Sequence, residues 1–155
     1  MSEPAPSAAT NSPGLDAEEL ETAVGLWLRL AQQKDLRGFT RGFAESGISQ
    51  PQYAILLVIA ANPGCRQAEL GTALRIRQPN LVEPLESLAA RGLIARRADP
   101  RDRRAQTLDL TPAGRELLDQ LRASHEELIG SYRARLGREG YEQLIALLKA
   151  FVQRA

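Results

Sequence analysis

The chain has 155 residues, a formal net charge of +1, 43% hydrophobic and 25% charged residues and few aromatics, which describes one globular domain with a sizeable core. Its single cysteine excludes an internal disulfide and suits a reducing cytoplasm. The apolar run Tyr53 to Ala61 ends after nine residues, far short of a membrane span.

Residues 1–14 lack both a basic start and an apolar segment and are rich in Pro, Ser and Ala. They read as a disordered tail, not a secretory signal. Leu20, Val24, Trp27, Leu28 and Ala31 then recur at helical spacing behind Asp16, Glu18 and Glu19, predicting a helix over about 16–34. "RGFAESGIS" reads as a loop or short turn. Ser49 with Gln52 has capping-box spacing, and Pro51 suits a first turn, so a buried helix follows through "YAILLVIAA". Asn62-Pro63-Gly64 ends it.

A short helix over "RQAELGTAL" places Ala68, Leu70 and Leu74 in the core. After "RIR" comes "QPNLVEPLESLAARG", where Leu81, Leu85 and Leu88 share a face and Gly92 closes the helix. Two short helices joined by a brief turn make a candidate helix-turn-helix. "LIARRA" and "AQTLDLT" alternate around "DPRDRR", which predicts a β-hairpin. Thr111-Pro112 opens a long helix with Leu117, Leu121, Leu128, Tyr132 and Leu136 on one stripe. Gly137 and Gly140 are expected to break it before a last helix carrying Tyr141, Leu144, Ile145, Leu148, Phe151 and Val152.

The fold class is therefore mainly α with a small β-hairpin: a winged helix-turn-helix. Charge follows that layout. From Arg66 to Arg104 there are nine arginines against five acids, whereas the rest of the chain has 11 basic and 14 acidic residues. Of the 20 basic residues 18 are Arg, the type suited to phosphate and guanine. Five of them, Arg96, Arg97, Arg101, Arg103 and Arg104, surround the hairpin turn. A narrow, strongly negative minor groove attracts such side chains.

At this point the hairpin and its sequel resemble the MarR (multiple antibiotic resistance regulator) family of transcription factors. The family's wing pattern is matched by Gly92, Leu93, Ile94, Arg96, Asp99, Asp102, Arg104, Leu110, Thr111 and Gly114. "NPGCRQAELGTAL" is similar to the helix before the family's recognition helix, and the element order matches over about residues 16–153. The resemblance implies one domain over 15–155, with a DNA-binding lobe at about 49–111 and dimerisation helices at about 16–34 and 112–153. It also implies a homodimer that grips a pseudo-palindromic operator in double-stranded DNA. Family members often repress transcription and release DNA on binding a small, frequently phenolic ligand between the dimerisation and DNA-binding regions.

Two positions depart from the pattern. Arg66 stands where Ser or Thr usually caps the helix, and Pro84 falls inside the recognition helix. If that helix starts at Pro79, Pro84 removes the bond to the Asn80 carbonyl and should kink it. Alternatively, Asn80 is the cap with Glu83 as its reciprocal acid, which moves Pro84 toward the first turn.

The DNA-contacting candidates are Gln67, Arg75, Arg77, Gln78, Asn80, Arg101 and Arg103. Gln and Asn can bond an adenine edge in two places, although Asn80 is equally explained as a cap. Arg75 and Arg77 suit phosphates, Gln67 is a further phosphate donor, and Arg101 and Arg103 lie at the wing tip. Asp102 and Arg104 are assigned to bracing the wing by an ion pair. Trp27, Phe39, Phe43 and Tyr53 could line an effector pocket or simply pack the core. His125 falls on the apolar stripe of the long helix, which favours a packed or interface role.

An enzyme is disfavoured. One His and one Cys build no zinc site, and no phosphate loop, dinucleotide fingerprint or nucleophile elbow is present. No cofactor, metal or membrane partner is expected. The alternatives are an activator, a thiol-based sensor through Cys65, and a winged-helix protein–protein module that never binds DNA.

Overall fold

The computed structural model describes residues 18–99 and 102–153, with the backbone course alone at 18 and 102–104. The predicted tail at 1–14 and Arg101 lie outside the described residues. The chain divides into two compact units, Met1–Lys34 and Asp35–Ala155.

In the first unit the expected single helix is interrupted. A one-turn α1 (Glu18–Glu21) stops before Thr22 and Ala23, and α2 (Val24–Gly42) begins afresh. The Thr22 hydroxyl donates to the Glu19 carbonyl at 3.0 Å and the Trp27 indole donates to the Glu21 carbonyl at 2.8 Å, so side chains satisfy the end of α1.

In the second unit α2 runs to Gly42, through the start of the segment expected to be a loop. Phe39 and Phe43, one helical turn apart, are 3% and 2% exposed, and that burial overrides the weak helix propensity of Gly38 and Gly42. Gly38 has a packing reason as well: a Cβ there would lie 2.6 Å from Leu128 Cδ1. After a 3₁₀ turn at Ala44–Ser46 comes α3 (Gln50–Ala61). Its capping box is complete, with Ser49 Oγ accepting from the Gln52 amide and Gln52 Oε1 accepting from the Ser49 amide at 2.9 Å.

Next come β1 (Cys65–Arg66), α4 (Gln67–Leu74), α5 (Pro79–Ala90), β2 (Ile94–Asp99), β3 (Asp102–Leu110) and α6 (Pro112–Val152). The sheet has the order β1-β3-β2, all antiparallel. β1 has no counterpart in the sequence reading: two residues carry no alternation, and only their pairing with Leu108 and Thr107 makes them a strand. α6 turns at Gly137, whose φ of 72° and ψ of 162° leave the helical region. Gly140, expected to break it too, stays helical.

The core is the meeting place of α3, α4, α5, the sheet and the first half of α6. Ile55, Leu56, Ile59, Leu70, Leu81, Leu85 and Leu88 are fully buried, with Leu118 at 1%. Truncating any of these to Ala should cost about 2–5 kcal/mol. Asp35 bridges elements at the edge of this core: it accepts from Tyr132 Oη of α6 at 3.0 Å and from Gln50 Nε2 of α3 at 2.7 Å.

Candidate nucleic-acid interface

The helix-turn-helix is packed onto the core through one face of α5. Leu81, Leu85 and Leu88 fix one face of α5 to the core, leaving Pro79, Asn80, Val82, Glu83 and Glu86 exposed on the others. Gly71 in α4 permits the close turn: a Cβ would lie 2.6 Å from Gln78 Nε2 and 3.0 Å from the Ile76 carbonyl. The turn itself passes through Arg75, which takes a left-handed φ of 54° as the C-cap of α4.

The sequence candidates fall unevenly on this frame. Gln67 and Gln78 come together, the Gln78 side-chain amide donating to the Gln67 carbonyl at 3.2 Å. Gln78 thereby ties the starts of α4 and α5 to each other. Arg77 and Asn80 are exposed. Asn80 is not the cap of α5: the helix starts at Pro79, and the Asn80 amide already bonds the Arg77 carbonyl at 2.9 Å. Pro84 accordingly sits in the second turn, not the first, and α5 continues through it as one helix to Ala90. The Arg75 guanidinium donates to the Val152 carbonyl near the end of α6 at 2.9 Å.

The wing is the β2–β3 hairpin, whose paired residues run from Ile94↔Leu110 to Asp99↔Asp102. Arg96 and Arg97 are exposed, and Arg97 Nε lies 3.8 Å from Asp109 Oδ2 with the Arg side chain 72% exposed, so this pair contributes little. The expected brace between Asp102 and Arg104, like the contact assigned to Arg103, concerns side chains outside the described residues. A different pair stands out. Arg66 donates to Asp99 Oδ2 from Nε at 2.8 Å and Nη2 at 2.5 Å, linking the start of α4 to the outer end of β2. Only Glu69 caps α4 locally, its carboxylate accepting from the Arg66 amide at 2.7 Å, because an Arg side chain carries donors alone. Sequence reasoning saw the odd residue at the cap position but had no signal for a partner 33 residues away.

Arg91, also unforeseen, donates to the Ser46 carbonyl at 2.8 Å and pins the end of α5 to the 3₁₀ turn.

Phe39, Phe43 and Tyr53 form one buried cluster: the two Phe rings stack at 3.8 Å and Tyr53 meets the Phe43 ring edge-on at 5.1 Å. His125 adds a fourth ring 5.1 Å from Tyr53. Trp27 belongs to the first unit and is 48% exposed. Cys65 is 8% exposed, and burial, reinforced by the nearby Glu69 carboxylate, pushes its thiol above the ordinary range. A groove of about 480 Å³ borders it, lined by Val58, Pro63, Glu69, Leu70 and Ala73 among others. Among the described residues no cluster of His, Cys, Asp or Glu is placed to hold a metal, and no helix is long and apolar enough to cross a membrane.

A helix-turn-helix followed by an arginine-bearing wing defines the winged-helix class, and comparison with known proteins narrows it. The MarR family model matches residues 46–105. A protein of Thauera aromatica whose name assigns it to transcriptional regulation of the hcr operon is 33% identical over 127 residues, covering 81% of this chain and 76% of that one. The solved structure of the transcriptional repressor CouR bound to a 23-mer DNA duplex is 32% identical with a TM-score of 0.87, covering 91% of this chain and all of that one. CouR bound to p-coumaroyl-CoA matches at 30% identity and a TM-score of 0.82, over 91% of this chain and 99% of that one. The chain belongs to the MarR family of transcriptional regulators.

Proposed function

We propose that the protein is a homodimeric, cytoplasmic repressor, not an enzyme, that binds a pseudo-palindromic operator and releases it when a small aromatic ligand binds. The observation that carries this reading is the pairing of an exposed α5 start with an arginine-rich wing, in a chain that superposes on a DNA-bound repressor. Gln67, Arg75, Arg77, Gln78 and Asn80 position the start of α5 against phosphates and base edges. Arg101 and Arg103 reach the flanking minor groove from the wing. In a dimer the two recognition helices would enter major grooves about 34 Å apart.

The effector assignment draws on the aromatic residues. Phe39, Phe43, Tyr53 and His125 offer stacking faces and a polar ring. Because a related repressor is found with p-coumaroyl-CoA, aromatic acids and their CoA thioesters are the first class to screen. The thiol-sensor alternative is disfavoured by the buried, proton-retaining Cys65. Activation would use the same DNA contacts and separates from repression only in a transcription assay.

The test is binding to a duplex covering the upstream region of the protein's own gene, at several salt concentrations. A specific regulator binds it at least ~10³-fold more tightly than unrelated DNA, with affinity falling steeply as salt rises. The Arg101→Ala/Arg103→Ala variant should lose affinity and salt dependence while keeping its thermal midpoint. Equal, salt-insensitive binding to both duplexes would favour a protein–protein module instead.

A further inference from the structure

The wing is a ribbon supported on one side only near its base. β1 pairs with β3 at Leu108 and Thr107 and then ends, while β2 and β3 continue outward to Asp99↔Asp102. A two-stranded ribbon has little rigidity of its own. The Arg66 side chain crosses this unsupported stretch: its backbone pairs with Thr107, opposite Arg97, yet its guanidinium grips the Asp99 carboxylate near the end of the hairpin.

Two independent features show that this contact is built. Asp99 has a side chain only 8% exposed, after three exposed residues in β2, and the hairpin register shifts at Ala98/Asp99. Register shifts of this kind re-aim a side chain. The Arg66 side chain, for its part, makes no cap hydrogen bond to α4. It cannot accept from the helix amides, and a cation is disfavoured at a helix N-terminus.

We propose that Arg66 and Asp99 are positioning residues for DNA recognition: their ion pair holds the outer wing at a fixed angle to the helix-turn-helix, so that wing and recognition helix meet adjacent grooves in register. This rests on the DNA-binding reading above. The brace acts through the wing and needs no contact between Arg66 and DNA.

The experiment compares Arg66→Ser, Asp99→Ala and the double variant with the wild-type chain. Arg66→Ser is chosen because Ser can cap α4 and complete a box with Glu69, which offsets part of the cost of taking the cation from the Asp99 carboxylate, so the variant should still fold. Its affinity for the upstream duplex should nevertheless fall about tenfold or more, with a salt slope shallower by roughly one to two. Hydroxyl-radical protection should disappear from the flanking minor grooves and persist at the centre. Asp99→Ala removes an acid from the DNA-facing lobe, which by charge alone would tighten binding; the brace requires that it weaken binding. The double variant should be no weaker than Arg66→Ser. Tighter binding by Asp99→Ala, or a wild-type footprint from Arg66→Ser, would overturn the brace.

Amide hydrogen exchange without DNA gives a second readout. Amides of the outer hairpin should exchange faster in Arg66→Ser while those of α3 and α5 do not change; unchanged wing exchange overturns the proposal. Should the wild-type chain bind no DNA, the functional reading falls, and exchange still decides the brace.

Discussion

Thr111 and Gly114 show how much one short motif can carry. The Thr111 hydroxyl accepts from the Gly114 amide at 3.0 Å, capping α6, and donates to the Gly92 carbonyl at 2.6 Å, where α5 hands over to the wing. Gly114 permits this closeness, since a Cβ there would lie 1.9 Å from the Leu93 carbonyl oxygen. No side chain can move out of the way, because the obstacle is backbone. Gly114→Ala should therefore destabilise the fold by about 3 kcal/mol, measured by chemical denaturation. A loss under about 1 kcal/mol would mean that α6 can shift away from the Leu93 backbone without penalty. The sequence showed the cap and the Pro after it; it did not show why the motif ends in Gly, because the clashing carbonyl is 21 residues earlier.

Among the elements, α2, α3 and α6 are tied by Asp35, with Tyr132 and Gln50 as donors. Burial, and then the bond to Asp35, hold the Tyr132 hydroxyl protonated up to about 12, against 10.0 for an ordinary tyrosine. The group stays neutral in the folded chain while the unfolded chain ionises. Its contribution is thus fully present below pH 10 and is lost as pH rises from 10 to 12. Stability measured across that window should fall more steeply for the wild-type chain than for Tyr132→Phe. Parallel curves would show that the hydroxyl is as solvated folded as unfolded. The capping box of α3 was legible because both partners lie within four residues. The Asp35 network was not, since its bonds span 15 and 97 residues.

At the scale of the molecule, many of the exposed large apolar side chains among the described residues lie toward the two ends. Leu144, Leu147, Phe151 and Val152 on the last stretch of α6 are 42–65% exposed, and in the first unit Leu20, Val24 and Trp27 are about half exposed. Patches of this kind mark association surfaces in a protein that works in water. In the proposed dimer they are covered by a second copy. Leu147→Glu/Phe151→Glu should then sediment as a folded monomer at concentrations where the wild-type chain is a dimer, and should lose operator affinity with the second half-site. A wild-type chain that sediments as a monomer would remove the dimer from the proposal.

What the sequence determined by itself is what local chemistry encodes: the order of helices and hairpin, the caps at Ser49 and Thr111, the leucine face of α5, and the arginine surplus from which the nucleic-acid reading starts. Each signal is a periodicity or a pairing within a turn or two of chain. Tertiary structure decided what depends on distant residues meeting. It extended α2 through two glycines because Phe39 and Phe43 are buried, made a strand of Cys65 and Arg66, and gathered Phe39, Phe43, Tyr53 and His125 into one cluster. It also turned an unsuitable cap residue into a link with the wing, as Arg66 found Asp99. Loop closure over 33 residues is settled by the folded core around it, and no local pattern in the chain records it.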